Sequence, residues 1–511
     1  MKNKISDDLS TELVRKGKFN ASTGLLFFII NTITALILNP ILVSFLGSYY
    51  FGIWRTIEKL IMFASVGDGQ ANQALKWTIA HDESSNDLDK KRRLVGSSLV
   101  IWVLFIPILL IILTAILYFF PQLINDLQVK DYSLIFLIIL ILGLNLIIKP
   151  LSEISSSVLI GSNKGYLVNY IKIIWLVIIS IVTYIMIVYL DFHLFEMAIS
   201  IFIVTVFRGI HYYLLAKKEI PWYGVRKPTL KEFKVFLSFS SWKLAWSFLE
   251  KFLMSSEVLF LSILIGAELV SGYIFTSYLA MAAILVVALL TSGFNPGIGR
   301  LIGDKNYEKS QIFIANQREY VLFFSTFIGG IILLFNESFV KLWGESELYL
   351  GSINNLLIVL MMIQLVLIRS EAFLIDLSLD IKNKVLLTLV SIILSSFLSI
   401  LGYLYIYNSV SMIFLGLFLG RFLLLFIFPR LTNDMIKETK KFISLKSLFL
   451  VSLYLSLTYY IGTVQEFTYW YSFFFMGFFE FVFAFIFTYF ALLSSSNQEY
   501  LKSLILKRIQ K

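Results

Sequence analysis

The run FTYWYSFFFMGFFEFVFAFIFTYF, beginning at Phe467, fixes the solvent of this chain. It holds one charge, Glu480, in a stretch long enough to cross a bilayer core. Apolar segments of similar length fall at 24–46, 52–75, 94–119, 133–154, 166–189, 195–215, 242–264, 271–294, 319–340, 353–375, 385–406, 409–428, 445–463 and 468–492, fourteen in all. In hydrocarbon every backbone N–H and C=O must be satisfied within the protein, so runs of this length read as helices. With 58% apolar residues and a mean hydropathy of +0.83, a soluble fold is excluded. The expected fold class is all-α and polytopic.

Charge tests that count. Lys and Arg gather in cytoplasmic loops. Here Lys90, Lys91, Arg92 and Arg93, then Lys217, Lys218, Arg226 and Lys227, then Arg300, Lys305 and Lys309, then Arg430, Lys437, Lys440 and Lys441 all fall in alternate loops, on the side of both termini. The opposite loops hold Lys130 and Lys341. A missed helix would scramble the alternation after it. Both termini are therefore expected in the cytoplasm, and the net charge of +10 reflects this sidedness and not nucleic acid. There is no cysteine, which excludes disulfides and thiolate metal sites.

The stretch from Leu42 to Asp82 returns in blurred form from Leu261 to Glu308. Leu46-Gly47 answers to Ile265-Gly266, Gly52 to Gly272, Ser152-Glu153 to Ser370-Glu371, and Asn163-Lys164 to Asn383-Lys384, all about 220 residues apart. Such duplication is common in transporters. An even six helices per repeat gives both halves one orientation, related by a pseudo-two-fold axis along the membrane normal. The expected order is a cytoplasmic tail (1–23), an N-lobe (24–215), a basic linker (216–241), a C-lobe (242–430), two extra helices (431–493) and a cytoplasmic tail (494–511).

A charge at mid-bilayer costs roughly 2.5–3.5 kcal/mol even on lenient scales. The spans nevertheless carry Arg55, Lys59, Lys172, Arg208, Lys243, Lys251, Arg369 and Arg421, against Glu58, Asp68, Glu153, Glu250, Glu257, Glu371, Asp376 and Glu480. Two readings fit: a water-filled cavity with a cationic wall, or structural ion pairs and helix-end residues reaching the headgroups. Arg208, Arg421 and Lys243 suit the second. Arg55, Lys59, Lys172, Lys251 and Arg369 are the candidates for holding an anionic substrate. Asp68, Glu153 and Glu371 are the candidates for coupling to H+ or Na+. Glu480 is expected at a helix–helix contact. Pro40 inside the first helix is the hinge candidate, because proline removes a helical hydrogen bond; a static kink fits equally. Chemistry is otherwise sparse: no phosphate-binding G-x-x-x-x-G-K-[ST] loop, no G-x-S-x-G, and three isolated histidines. No enzyme activity, metal or cofactor is expected.

At FLGSYYFGIW (Phe45–Trp54), SVGDGQANQALKW (Ser65–Trp77), VLIGSNKGYLVNYI (Val158–Ile171), LIGAELVSGYIF (Leu264–Phe275) and GFNPGIGRLIGDKNYEK (Gly293–Lys309) the sequence resembles the Wzx-type polysaccharide flippases of the MOP superfamily. Lipid II flippases and MATE multidrug exporters belong to the same superfamily. The resemblance implies alternating-access export of an undecaprenyl-pyrophosphate-linked oligosaccharide, an O-antigen, capsule or exopolysaccharide repeat unit, across the bacterial cytoplasmic membrane. The glycan, membrane lipid and a glycan polymerase with its chain-length machinery are the partners it implies. A MATE-like cation-coupled drug exporter is the alternative, and a membrane enzyme of glycan assembly the third reading. Intramembrane cations as numerous as acids favour the first.

Overall fold

The computed structural model describes residues 2–83, 85–190, 193–230, 232–233, 241–377, 381–437 and 443–509. The side chains of 2–14, 241, 243, 296 and 504–509 lie outside that description. Among the described residues there is no strand. Among them, eleven helices are long and apolar enough to cross a membrane, and twelve when one bent pair counts as a single span. The chain is a multi-pass integral membrane protein.

Two compact units divide it: residues 1–251 with 262–268, and residues 252–261 with 269–511. The first unit opens with α1 (Lys2–Ala64), which is not one straight helix. At Gly47 the backbone leaves the helix, with φ 75° and ψ 160°. A side chain is strained there, and glycine is not. The expected first two spans therefore run on from each other across one residue. The expected span 52–75 is also shorter than its apolar pattern suggests. A 3-10 turn (Ser65–Asp68) ends it, Gly69 and Gln70 take positive φ, and the short amphipathic helix α2 (Ala71–His81) follows. Pro40 sits inside the continuous helical part of α1.

Then come α3 (Leu88–Leu123), α4 (Tyr132–Gly161), α5 (Gly165–Leu190) and α6 (Leu194–Glu219). Leu75, Ile79, Val95, Val158, Val168, Tyr212 and their neighbours form one buried core that ties α2 through α6 together. The first part of the basic linker lies on this unit. The Arg226 N–H donates to the Arg92 carbonyl at 3.1 Å, Arg92 Nε to the Trp222 carbonyl at 2.9 Å, and Arg93 pairs with Glu232 at 2.8 Å. Residues 234–240 of the linker fall outside the described residues. Next is α7 (Ser241–Leu264), whose Glu250, Lys251 and Glu257 give it more charge than the long apolar spans carry.

The second unit holds α8 (Ala267–Thr276) and α9 (Tyr278–Thr291), bent by 48° between them, where the sequence suggests one straight span 271–294. Gly266, just before α8, has φ 148°. The two repeat-related positions Gly47 and Gly266 thus share a positive-φ break, and each is followed by helix, 3-10 turn and short helix. In the second unit that turn is Ser292–Phe294 and the short helix is α10 (Asn295–Gly303). There follow α11 (Tyr307–Trp343), α12 (Ser352–Leu377), α13 (Lys382–Leu401), α14 (Val410–Ile436), α15 (Leu445–Val464), α16 (Trp470–Leu492) and α17 (Ser495–Ile509). Small residues bring α13 and α14 together: Gly416 and Gly420 lie against the backbone of Ser399 and Ser395, so that an added Cβ would sit 2.3 and 2.2 Å from it. Ser391 Oγ then donates to the Gly420 carbonyl at 3.0 Å, and Ser399 Oγ to the Ile413 carbonyl at 2.9 Å. With no hydrophobic force between helices in lipid, such close approach and such hydrogen bonds are what holds them. Glu480 accepts from Gln465 Nε2 at 2.7 Å, at the contact of α16 with the end of α15.

Two outcomes test this fold. Gly420→Val should destabilise the protein by about 1–3 kcal/mol through overpacking, read as a lower melting temperature in detergent, while Gly303→Val, in open space, should change it far less. In the linker, burial pushes the Glu232 carboxyl up, but the Thr229 N–H and hydroxyl and the Arg93 guanidinium outweigh it and hold the carboxyl below its usual range. A depressed carboxyl contributes stability that is complete above the ordinary value and lost as pH falls through the depressed one. Hydrogen exchange over 222–233 should therefore accelerate below about pH 4 and lose that step in Glu232→Gln.

Candidate functional site

The first unit concentrates charge around Pro150, which lies inside α4. Pro150 lacks an N–H, so the Leu146 carbonyl has no i+4 donor. Side chains of neighbouring helices bond the backbone beside it: Trp102 Nε1 of α3 donates to the Ile147 carbonyl at 2.8 Å, and Asn72 Nδ2 of α2 to the Pro150 carbonyl at 2.8 Å. Asn145, Lys149 and Glu153 recur every four residues along α4 and share its face. On α6, Gly209 packs so closely on Ser152 that a Cβ would stand 2.6 Å from the serine Cβ. That approach sets Arg208 Nη2 4.0 Å from Glu153 Oε1.

Around this point other chains converge. Lys172 of α5 is half-buried, its Nζ 5.7 Å from the Phe27 ring centroid. It lies within electrostatic reach of Glu153, Lys76, Arg208 and Lys149. Lys251 donates to Ser65 Oγ at 2.7 Å and to the Met62 carbonyl at 3.4 Å, at the turn that ends α1. Asp68, in the same turn, accepts the Gln70 N–H at 2.8 Å and feels Lys251, Glu153 and Lys149. Five cations (Lys76, Lys149, Lys172, Arg208 and Lys251) thus share a neighbourhood with three acids, Asp68, Glu153 and Glu250. The excess is positive. Close by in sequence, Asn72 Oδ1 and Asn145 Oδ1 are buried acceptors without a partner among the described residues. A polyanion and a set of hydroxyl donors are the chemistry this arrangement can receive.

Of the residues singled out from sequence, the structure gathers Lys172, Lys251, Asp68 and Glu153 here. Arg55 is engaged elsewhere: its Nη1 pairs with Glu58 at 2.8 Å, its Nη2 donates to Asn39 Oδ1, and its guanidinium stacks 4.8 Å from the Phe51 ring centroid. Lys59, one turn on, is half-buried. Lys76 and Lys149 pass as loop or helix-end residues in the sequence. Their signal was there in the four-residue step from Lys149 to Glu153 beside a proline.

The second unit treats its charges in the opposite way. Arg318 closes on Glu371 with two bonds of 2.7 and 2.8 Å and gives its third nitrogen to Asn433 Oδ1 at 2.8 Å. Glu371 is 1% exposed, so both its oxygens are spent on a residue that the sequence pattern places at the edge of a loop. Arg421 does not reach for the headgroups as its position suggests. It is fully buried, its Nη1 2.8 Å from Glu257 Oε1 and its Nη2 2.9 Å from Ser256 Oγ. Lys384, equally buried, pairs with Asp376. Arg369 is half-buried on α12. Lys243, Glu250 and Glu257 stand seven residues apart on α7, and the side chain of Lys243 lies outside the described residues.

The sequence matches no family model and no curated protein. Solved structures do match. An inward-facing MATE-family multidrug resistance transporter of the MOP superfamily superposes with a TM-score of 0.66 at 15% identity, covering 81% of this chain and 96% of that one. A Vibrio cholerae MATE transporter gives 0.59 at 15%, covering 85% and 100%. A MOP-superfamily transporter from Pyrococcus furiosus, described as having a binding pocket of reversed polarity that suggests a different function, gives 0.57 at 16%, covering 84% and 96%. At these identities the likeness is one of fold: the chain is built as a MATE-type transporter is.

The two kinds of charge should separate on mutation. Arg421→Gln leaves Glu257 buried without its cation and should cost about 3–5 kcal/mol. Lys172→Gln relieves crowding among cations and should leave stability within about 0.5 kcal/mol. Unfolding of both variants in mixed micelles measures the difference.

Proposed function

We propose that the protein is an alternating-access exporter of a lipid-linked oligosaccharide whose headgroup carries a pyrophosphate, moving it outward across the bacterial cytoplasmic membrane, with both termini inside. One observation carries this reading: the cation excess around Glu153 in the first unit, beside unsatisfied acceptors on Asn72 and Asn145. Each sugar hydroxyl taken into hydrocarbon without a partner costs several kcal/mol, so a glycan needs a polar route while its polyprenyl chain stays in lipid. Lys76, Lys149, Lys172, Arg208 and Lys251 are assigned to the pyrophosphate. Arg55, already engaged by Glu58 and Asn39, has less left to offer it. Moving about two negative charges outward across ~100 mV gains roughly 4–5 kcal/mol. Asp68 and Glu153 are the acids assigned to any H+ or Na+ coupling, because Glu371 is held by Arg318.

A second reading, a cation-coupled drug exporter, draws on the MATE proteins that share the fold. It calls for a site that attracts organic cations, whereas this one repels them. Reconstituted protein separates the two. With the Lys149→Gln/Lys172→Gln double variant, translocation of a polyprenyl-pyrophosphate oligosaccharide in proteoliposomes should fall at least about tenfold, equivalent to ~1.4 kcal/mol, at unchanged protein level. Absence of glycolipid movement by the parent, together with efflux of a cationic dye, would transfer the assignment to the drug exporter.

A further inference from the structure

Seven residues of the second repeat, Ser262–Glu268, belong to the first unit, whereas the residues before and after them belong to the second. They include Gly266, the positive-φ break that answers to Gly47. What holds them is the loop between α3 and α4. Helix α3 starts at the basic residues 90–93 and α7 starts just after the basic linker, and the loop and the segment lie at their far ends. Both therefore sit on the face opposite the Lys/Arg-rich loops.

The hold consists of four hydrogen bonds. The Asn125 N–H donates to the Ser262 carbonyl at 3.0 Å, and Asn125 Nδ2 to the Ile265 carbonyl at 3.2 Å. Ser262 Oγ donates back to the Leu123 carbonyl at 2.8 Å. The Ala267 N–H, the first of α8, donates to Asp126 Oδ1 at 3.0 Å. The first N–H groups of a helix lack a partner within it and favour a negative charge, so Asp126 caps α8 from another part of the chain. Gly266 makes room for the carboxylate: a Cβ there would stand 2.7 Å from Asp126 Oδ2.

The other end of the loop is fixed at the first repeat's own break. Tyr49 and Tyr50, just past Gly47, donate to Asp131 Oδ2 and Oδ1 at 3.1 and 3.0 Å, and Tyr49 Oη accepts the Gln128 N–H at 3.1 Å. Asp131 is buried, whereas Asn125 and Asp126 are exposed. One loop thus joins the two equivalent glycine breaks, dry at one end and wet at the other. Bonds that water can replace part at little net cost, while a buried carboxylate stripped of its donors pays its full desolvation.

We propose that the loop 123–131 is a clasp on the face opposite the basic loops. It stays with Tyr49 and Tyr50 throughout, and it releases Ser262, Ile265 and Ala267 each time that face opens. Release removes the cap from α8 and frees the Gly266 break to swing. The inference rests on the alternating-access part of the function proposed above and not on its cargo, so either can fail without the other.

The chain has no cysteine, which leaves the label positions free to choose. Val129→Cys/Ile263→Cys, both at exposed positions, puts one nitroxide on the loop and one on α7. Dipolar electron paramagnetic resonance of the full chain in nanodiscs, without cargo, reads their separation. The labelled parent should give one dominant short distance. Adding Asn125→Ala/Asp126→Ala should raise the population of a longer distance about tenfold. Tyr50→Phe acts at the end that stays closed; it should lower the melting temperature and leave the distances as in the parent. Since Asn125 and Asp126 are exposed, their variant keeps the fold, which the melting temperature in detergent verifies. Unchanged distances in Asn125→Ala/Asp126→Ala would overturn the proposal. A longer distance appearing in Tyr50→Phe instead would also overturn it, by placing the release at Asp131.

Discussion

An ion in hydrocarbon must be paired, solvated or moved to an interface, and the layout of this protein follows from that requirement. Removing one partner from a buried pair costs more than the pair itself is worth, because the other charge is left alone. The second unit meets the requirement with closed pairs. Arg421 and Glu257, Arg318 and Glu371, and Lys384 and Asp376 each bring a cation to an acid on a different helix. The first unit leaves cations over. Around Glu153 they outnumber the acids, at a place where α4 carries Pro150 and its backbone accepts from side chains of α2 and α3. An imbalance of this kind persists when water or an anionic visitor offsets it.

The two repeats thus differ in how they hold their charges. Both carry a glycine with positive φ ahead of a helix, a 3-10 turn and a short helix, so the backbone plan was kept after duplication. Side-chain chemistry was not. Glu153 and Glu371 occupy corresponding places, yet one is one-third exposed beside a loosely placed arginine and the other is sealed by two short bonds. The unit with sealed charges also carries α15 and α16, which lie beyond the duplicated part and extend its apolar surface.

Much of this was legible beforehand. Long apolar runs required helices, and the blurred repeat paired Gly47 with Gly266, at both of which the backbone takes positive φ. The contact at Glu480 could be read from a lone acid in an aromatic span. Legibility failed where a local pattern has two solutions. The stretch 52–75 reads as one span, but Gly69 and Gln70 take positive φ and turn its second part into α2. The stretch 271–294 looks like one helix and is two, bent at Ser277.

The sequence by itself determined the solvent and the helical class, because hydrophobic length is a local property. Which charges meet was decided by the tertiary structure. Arg318 finds Glu371 across 53 residues and Arg421 finds Glu257 across 164. No periodicity records such distances. Arg208 and Lys76 come within reach of Glu153 only when Gly209 lets α6 close on α4 and Asn72 anchors α2 to the Pro150 carbonyl. Pairing energy depends on separation in space and on what water is excluded, and folding sets both.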